Sequence, residues 1–127
     1  MWVRCNPNPL GKQTGDCVVR AIAIATGQSW RAVYRDLCRQ GEMMADLPNA
    51  NAVWGSYLRE RGARQFLLPE SCPDCITVRA FCERYPEGMY VIGTGEHAIA
   101  VIGGDWYDSW NSESCTPTIF WEIRQEE

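Results

Sequence analysis

The sequence predicts an α+β fold, with a helical half followed by a sheet-forming half. Apolar residues recur at helical spacing through much of residues 17–85, whereas residues 89–123 contain four short β-branched and aromatic runs separated by turns. Helices first and an antiparallel meander second are typical of the α+β class. A length of 127 residues without a linker-like stretch predicts one domain, residues 1–127. We therefore expect N-terminal helices, one of them buried and central, packed on a C-terminal antiparallel sheet.

The buried central helix is predicted to begin at or next to Cys17 and to end before Gly27. Arg20 is the only charged residue between them, and a helix that is apolar on all sides is typically buried. The side chain of Asp16 or Thr14 is expected to cap the first turn, and glycine suits the left-handed position after the last turn.

The remaining elements follow in order along the chain. Residues 1–14 are rich in proline and asparagine and are predicted to be irregular. Three further helices are predicted at residues 30–40, capped by Ser29 and closed by Gly41, at residues 49–61, and at residues 77–85. Five strands are predicted at residues 65–68, 89–93, 98–102, 106–110 and 118–123.

The composition excludes several classes of protein. A net charge of −4 argues against a nucleic-acid binder, which normally has a basic face. No apolar run approaches the length of a membrane span, and the first residues lack the apolar core of a signal peptide. Seven cysteines cannot all pair within one chain, so reduced thiols and a cytoplasmic location are expected.

Cys17 is the candidate nucleophile. At the start of a helix, the unpaired amides and the helix dipole favour a negative charge. A cysteine at this position loses its proton more readily, and the thiolate is the nucleophilic form. The sequence therefore predicts a reactive thiol at the tip of the central helix.

His97, the only histidine, opens the first strand of a predicted hairpin, residues 98–102, and is the candidate base. If the turn consists of residues 103–104, Asp108 lies on the same side of the sheet as His97. If the turn consists of residues 103–105, Asn111 lies directly across from it. Either residue can hold one imidazole nitrogen while the other nitrogen serves a thiol.

The order of these residues resembles that of the papain-like cysteine peptidases, with cysteine on a central helix, histidine at a strand start, and Asn or Asp on the next strand. Residues 108–110, Asp-Ser-Trp, are similar to the Asn-Ser-Trp of papain-type enzymes, and residues 97–103 resemble their His-Ala-Val strand. Residues 15–17, Gly-Asp-Cys, look closer to small bacterial and phage members related to the bacteriocin-processing peptidases. The chain is shorter than papain and lacks its Cys-Gly-Ser-Cys-Trp motif.

The resemblance implies a thiol-dependent hydrolase that acts on a peptide or isopeptide bond of a peptide or protein substrate. Cys17 would be the nucleophile, His97 the base and Asp108 the residue that orients it. No cofactor and no nucleic-acid or membrane partner is implied. Two other functions stay open: acyl transfer or deamidation by the same three residues, and a binding or inhibitor module without turnover.

The family also uses a glutamine shortly before the cysteine as an oxyanion donor. Gln13 lies four residues before Cys17, somewhat closer than is usual, and is the first candidate for this role. Asn8 is the second candidate.

Cys72 and Cys75 have the spacing of half a zinc site. No second Cys-x-x-Cys pair is present, although Cys5, Cys82 or Cys115 could complete a site in space. The pair could also be a redox dithiol, but it does not open a helix after a strand as thioredoxin-like motifs do. The sequence therefore predicts two loop cysteines and no bound metal.

Overall fold

The computed structural model describes residues 1–124 and confirms the α+β class. This part of the chain forms four helices and one six-stranded mixed sheet. In chain order the elements are β1 (Trp2–Arg4), α1 (Cys17–Thr26), α2 (Trp30–Met44), α3 (Asn51–Glu60), β2 (Arg64–Leu67), α4 (Val78–Arg84), β3 (Met89–Gly93), β4 (Ala98–Ile102), β5 (Asp105–Asp108) and β6 (Ile119–Ile123). None of the helices within residues 1–124 has the length and apolar character needed to cross a membrane.

Helix α1 is the buried central helix that the sequence predicts. Seven of its ten residues are buried, and Ile22 is completely so. Full burial of one such side chain stabilises the fold by about 1.5–3 kcal/mol. The helix ends before Gly27, which has the predicted left-handed conformation with φ 72°. The predicted cap is wrong, because Asp16 occupies the N-cap position without making a side-chain capping bond.

The sheet has the strand order β1-β5-β4-β3-β6-β2, and every pair is antiparallel except β1 with β5. The four C-terminal strands are antiparallel as predicted, and two edge strands from earlier in the chain extend them. The prediction of an irregular segment over residues 1–14 is wrong at Trp2–Arg4, which pairs with β5. This strand also supports the end of β5, because the indole N–H of Trp2 and the amide of Cys5 both donate to the carbonyl of Asp108.

Helices cover both faces of the sheet. Along β3 and β4, alternate residues point to opposite faces, as expected for strands. Val91 and Ala100 belong to the core beneath α1, α2 and α3, whereas Ile92 and Ile99 belong to the core beneath α4. The central strands are therefore buried on both sides, which holds the start of β4 firmly against the start of α1.

Helix α2 is longer than predicted. The sequence predicts a stop at Gly41, but the helix continues to Met44, and Ala45 takes the left-handed position after it. A side chain at Gly41 would place its Cβ 2.6 Å from the carbonyl oxygen of Asp46. The glycine is therefore required for the close approach of the following loop and not for ending the helix.

Candidate active site

The three predicted catalytic residues come from separate segments that meet at one end of α1. Cys17 is the first residue of α1, His97 directly precedes β4, and Asp108 is the last residue of β5. Ile102 pairs with Asp105, so the turn between β4 and β5 contains two residues, and the three-residue turn does not form. As expected for the two-residue turn, Asp108 lies on the side of the sheet that carries His97.

Asp108 binds and orients His97. Its Oδ2 lies 2.5 Å from Nε2 of the imidazole ring, and its side chain is almost completely buried. The Ser112 hydroxyl donates to the same oxygen at 2.8 Å, and the amide of Ser109 donates to Oδ1 at 2.8 Å. The fixed carboxylate therefore sets the ring orientation and leaves Nδ1 for the thiol of Cys17, which lines the same cleft as His97.

Asn111, the other predicted orienting residue, is placed elsewhere. It is exposed, and its Oδ1 accepts hydrogen bonds from the indole N–H of Trp106 at 3.1 Å and from the amide of Glu113 at 3.2 Å. Of the two candidates, the structure therefore places Asp108 against His97, whereas the side chain of Asn111 accepts its hydrogen bonds from residues near it in the chain.

The pKa values of Cys17 and His97 shift in opposite directions. Burial raises the pKa of the Cys17 thiol, but the hydrogen bond to His97, the amide of Ala98 and the charges of His97 and Arg20 outweigh burial and lower this pKa below its usual 9.0. Burial lowers the pKa of His97, but its hydrogen bonds and charge interactions with Asp108 and Cys17 prevail and raise it to about 9. These opposite shifts favour a thiolate–imidazolium pair over the neutral pair.

Trp110 covers the imidazole ring on its outer side. The two ring centroids lie 5.0 Å apart, and Trp110 is itself half exposed while the His97 side chain is only 15% exposed. Excluding water from a hydrogen bond between charged groups strengthens it. Trp110 therefore helps to keep water from the imidazole ring of His97.

A buried network of charged and polar groups lies behind the site, and the sequence did not predict it. The buried guanidinium of Arg20 binds Oδ1 of Asp16 and lies 3.7 Å from Oδ1 of Asp108. Asp16 also accepts hydrogen bonds from the indole of Trp30 at 2.9 Å and the side-chain amide of Asn8 at 3.2 Å. The signal in the sequence was an Asp and an Arg four residues apart at the start of a helix that is otherwise apolar.

A cleft of about 300 Å³ opens beside Cys17 and His97. Its apolar lining includes Val18, Trp54 and Ile119, and Glu96 contributes a carboxylate. A larger cavity of about 480 Å³ lies at the other end of α1, and none of the three predicted catalytic residues lines it. The cleft at Cys17 is therefore the one in which a bound carbonyl group would meet the thiol.

The two predicted oxyanion donors do not line this cleft. Gln13 is exposed in the loop before α1, and Asn8 is buried with its amide N–H group bound to Asp16. The first amides of a helix have no partner within it, so the amide of Cys17 is a further candidate for the oxyanion donor. The role of Gln13 stays a prediction.

Comparisons of this chain with protein-family models, with curated proteins and with solved structures found no match.

Proposed function

We propose that this chain is a papain-like, thiol-dependent hydrolase that cleaves a peptide or isopeptide bond. Cys17 is the nucleophile, His97 the proton carrier and Asp108 the orienting residue. The observation that carries the proposal is that the Asp108 carboxylate holds the His97 ring at the start of α1, where Cys17 and His97 line the same open cleft. The resemblance to papain-like peptidases in residue order supports the same assignment.

In the first half of the reaction, the thiolate of Cys17 attacks the carbonyl carbon of the scissile bond. The carbonyl oxygen becomes negatively charged, and the amide of Cys17 at the start of α1 donates a hydrogen bond to it. The imidazolium of His97 then transfers its proton from Nδ1 to the leaving nitrogen. The C–N bond breaks, the amine departs, and the acyl group remains on Cys17 as a thioester.

In the second half, a water molecule replaces the amine. Neutral His97 accepts a proton from this water as its oxygen attacks the thioester carbon. The C–S bond breaks, the carboxylic acid leaves, and the thiolate–imidazolium pair is restored. Asp108 stays ionised throughout and stabilises the imidazolium each time it forms.

The residues that line the cleft support the proposal that the substrate is a peptide or a protein. Trp54 and Ile119 offer apolar surface to a side chain, and the amides of Asn49 and Asn51 can exchange hydrogen bonds with a peptide backbone. Glu96, a carboxylate beside the site, favours basic over acidic groups near the scissile bond.

The test uses a peptide with an electrophilic carbonyl group, followed by mass spectrometry of the trypsin-digested protein. Tryptic cleavage after Lys12 and Arg20 releases a peptide that contains Cys17 and no other cysteine. We expect the adduct on this peptide, and its loss in Cys17→Ala and in His97→Ala. Peptide substrates of the same sequence, without the electrophilic group, then show which reaction follows acylation of Cys17.

Three outcomes separate the possible functions. An adduct on Cys17 together with release of a carboxylic acid supports the hydrolase. An adduct whose acyl group passes to an added amine, without release of acid, assigns acyl transfer instead. Absence of an adduct on Cys17 across a varied peptide library contradicts the proposal and favours a binding module.

A further inference from the structure

Two cysteine sulfur atoms lie close together outside the candidate active site, in the loop between β2 and α4. The Sγ atoms of Cys72 and Cys75 are 2.8 Å apart. Cys72 is exposed and Cys75 is half-buried, so solution reagents reach Cys72 first. An S–S bond is about 2.05 Å long, so a relative movement of less than 1 Å would bring the two atoms to bonding distance.

The surrounding backbone holds these two thiols together. The amides of Asp74 and Cys75 both donate to the carbonyl of Ser71 at 3.2 Å, which closes a turn around the pair. Both ends of the loop are also hydrogen-bonded to residues 115–118. Two thiols kept close in this way react with each other at a high effective concentration.

The part of the chain that the structure describes contains no cluster of three or more His, Cys, Asp or Glu residues placed to hold a metal ion. A structural zinc site takes four such ligands, so the pair in this loop is short of a complete site. The geometry is instead suited to chemistry between two sulfur atoms. We propose that Cys72 and Cys75 are a redox-active dithiol that closes reversibly to a disulfide, with a low-molecular-weight disulfide of the glutathione type as oxidant.

The reaction takes place in two exchange steps. The Cys72 thiol loses a proton to solvent, and the thiolate attacks one sulfur of oxidised glutathione, forming a mixed disulfide and releasing one glutathione thiolate. Cys75 then loses its proton, and its thiolate attacks Sγ of Cys72 and releases the second glutathione thiolate. The two cysteines are oxidised by two electrons, one glutathione disulfide is reduced to two thiols, and a dithiol reductant reverses the sequence.

The test exposes the chain of 127 residues to glutathione buffers of increasing oxidised fraction, followed by an acid quench and alkylation of the remaining thiols. Trypsin cleaves after Arg64 and Arg79, so residues 65–79 form one peptide that carries both cysteines and no other. We expect this peptide to carry no alkyl group and no glutathione and to weigh two hydrogen atoms less than its dithiol form, and to take up both alkyl groups after reduction. Half-conversion should occur at an oxidised-glutathione concentration at least about tenfold lower than for any other cysteine pair.

The single variants Cys72→Ser and Cys75→Ser are the matched controls. Each should keep an alkylatable thiol or carry one glutathione, because the resolving thiol is missing. The proposal is overturned if residues 65–79 stay fully alkylated in oxidising buffer, or carry two separate glutathione groups. It is also overturned if the purified protein holds close to one equivalent of zinc that both single variants lose. The hydrolase proposal is tested separately, on the Cys17 peptide and with the electrophilic peptide as reagent, so the two proposals fail independently.

Discussion

The substitution Asp108→Asn separates the charge of the orienting residue from its geometry. The amide retains an oxygen that can accept a hydrogen bond from His97, but it carries no negative charge. In the structure, Asp108 and Cys17 together raise the pKa of His97 from 6.5 to about 9 against the effect of burial. One pKa unit is worth 1.36 kcal/mol, so the net shift corresponds to about 3 kcal/mol, shared between the two partners.

We expect Asp108→Asn to lower the reactivity of Cys17 at acidic pH by between about 10-fold and about 100-fold, because the thiolate loses its stabilised imidazolium. The assay is the rate of alkylation of Cys17 by iodoacetamide as a function of pH, read from the tryptic peptide of residues 13–20. In the wild-type chain, Cys17 should be alkylated at pH values well below 9.0, the usual pKa of a cysteine thiol. In Asp108→Asn, the pH at which the alkylation rate rises should move toward that value.

Asn111→Ala is the matched control, because Asn111 lies in the same segment and accepts its hydrogen bonds from Trp106 and Glu113. Its alkylation profile should remain close to that of the wild type. If Asn111→Ala shifts the profile and Asp108→Asn does not, the orienting role belongs to Asn111. If neither variant has an effect while both remain folded in thermal melting, His97 does not act on Cys17 as described.

Three further predictions concern the same site. Iodoacetamide at about pH 6 should modify Cys17 ahead of Cys82, whose burial raises its pKa to about 11, and equal labelling would contradict the nucleophile assignment. Arg20→Met should lower the free energy of unfolding, measured in urea, by about 3–5 kcal/mol, because the buried carboxylates of Asp16 and Asp108 then lack the guanidinium of Arg20. A loss below about 1 kcal/mol would mean that this network contributes little to stability. In Cys17→Ala, the bond to Asp108 still favours protonated His97, so the pair of His97 and Asp108 should stabilise the folded state. This contribution to the free energy of unfolding should be complete below pH 6.5 and should disappear as the pH rises through the raised pKa of His97. Unfolding free energies that do not decline over that pH interval would refute the ion pair.

Local sequence signals predicted the parts of the site that depend on nearby residues. The apolar run after Cys17 and the glycine at position 27 defined α1, and symmetric pairing across the 103–104 turn related Asp108 to His97. The course of α1 could be predicted because a few adjacent residues set the end of a helix, whereas the sequence left the turn at two or three residues and the structure decided for two.

Other features depend on contacts between distant parts of the chain and could not be predicted in this way. The strand Trp2–Arg4 lies in a segment of irregular composition and forms only because β5 offers it a free edge. Gly41 has the residue type of a helix stop, but the nearby Asp46 carbonyl determines why a glycine is present. Asp16 fits the pattern of a helix cap, but Arg20 binds its carboxylate instead.

The long sequence distances within the site affect how the chain acquires its reactivity during synthesis. A ribosome makes Cys17 before His97 and Asp108, and a cysteine without these partners keeps the low reactivity of an ordinary thiol. Trp2 reaches its partner Trp106 only after β5 has been made, so the strand that supports the Asp108 carbonyl is also added late. On the proposed function, the nascent chain therefore carries an unreactive cysteine until Asp108 has been made, and Cys17 becomes a nucleophile only when the sheet closes.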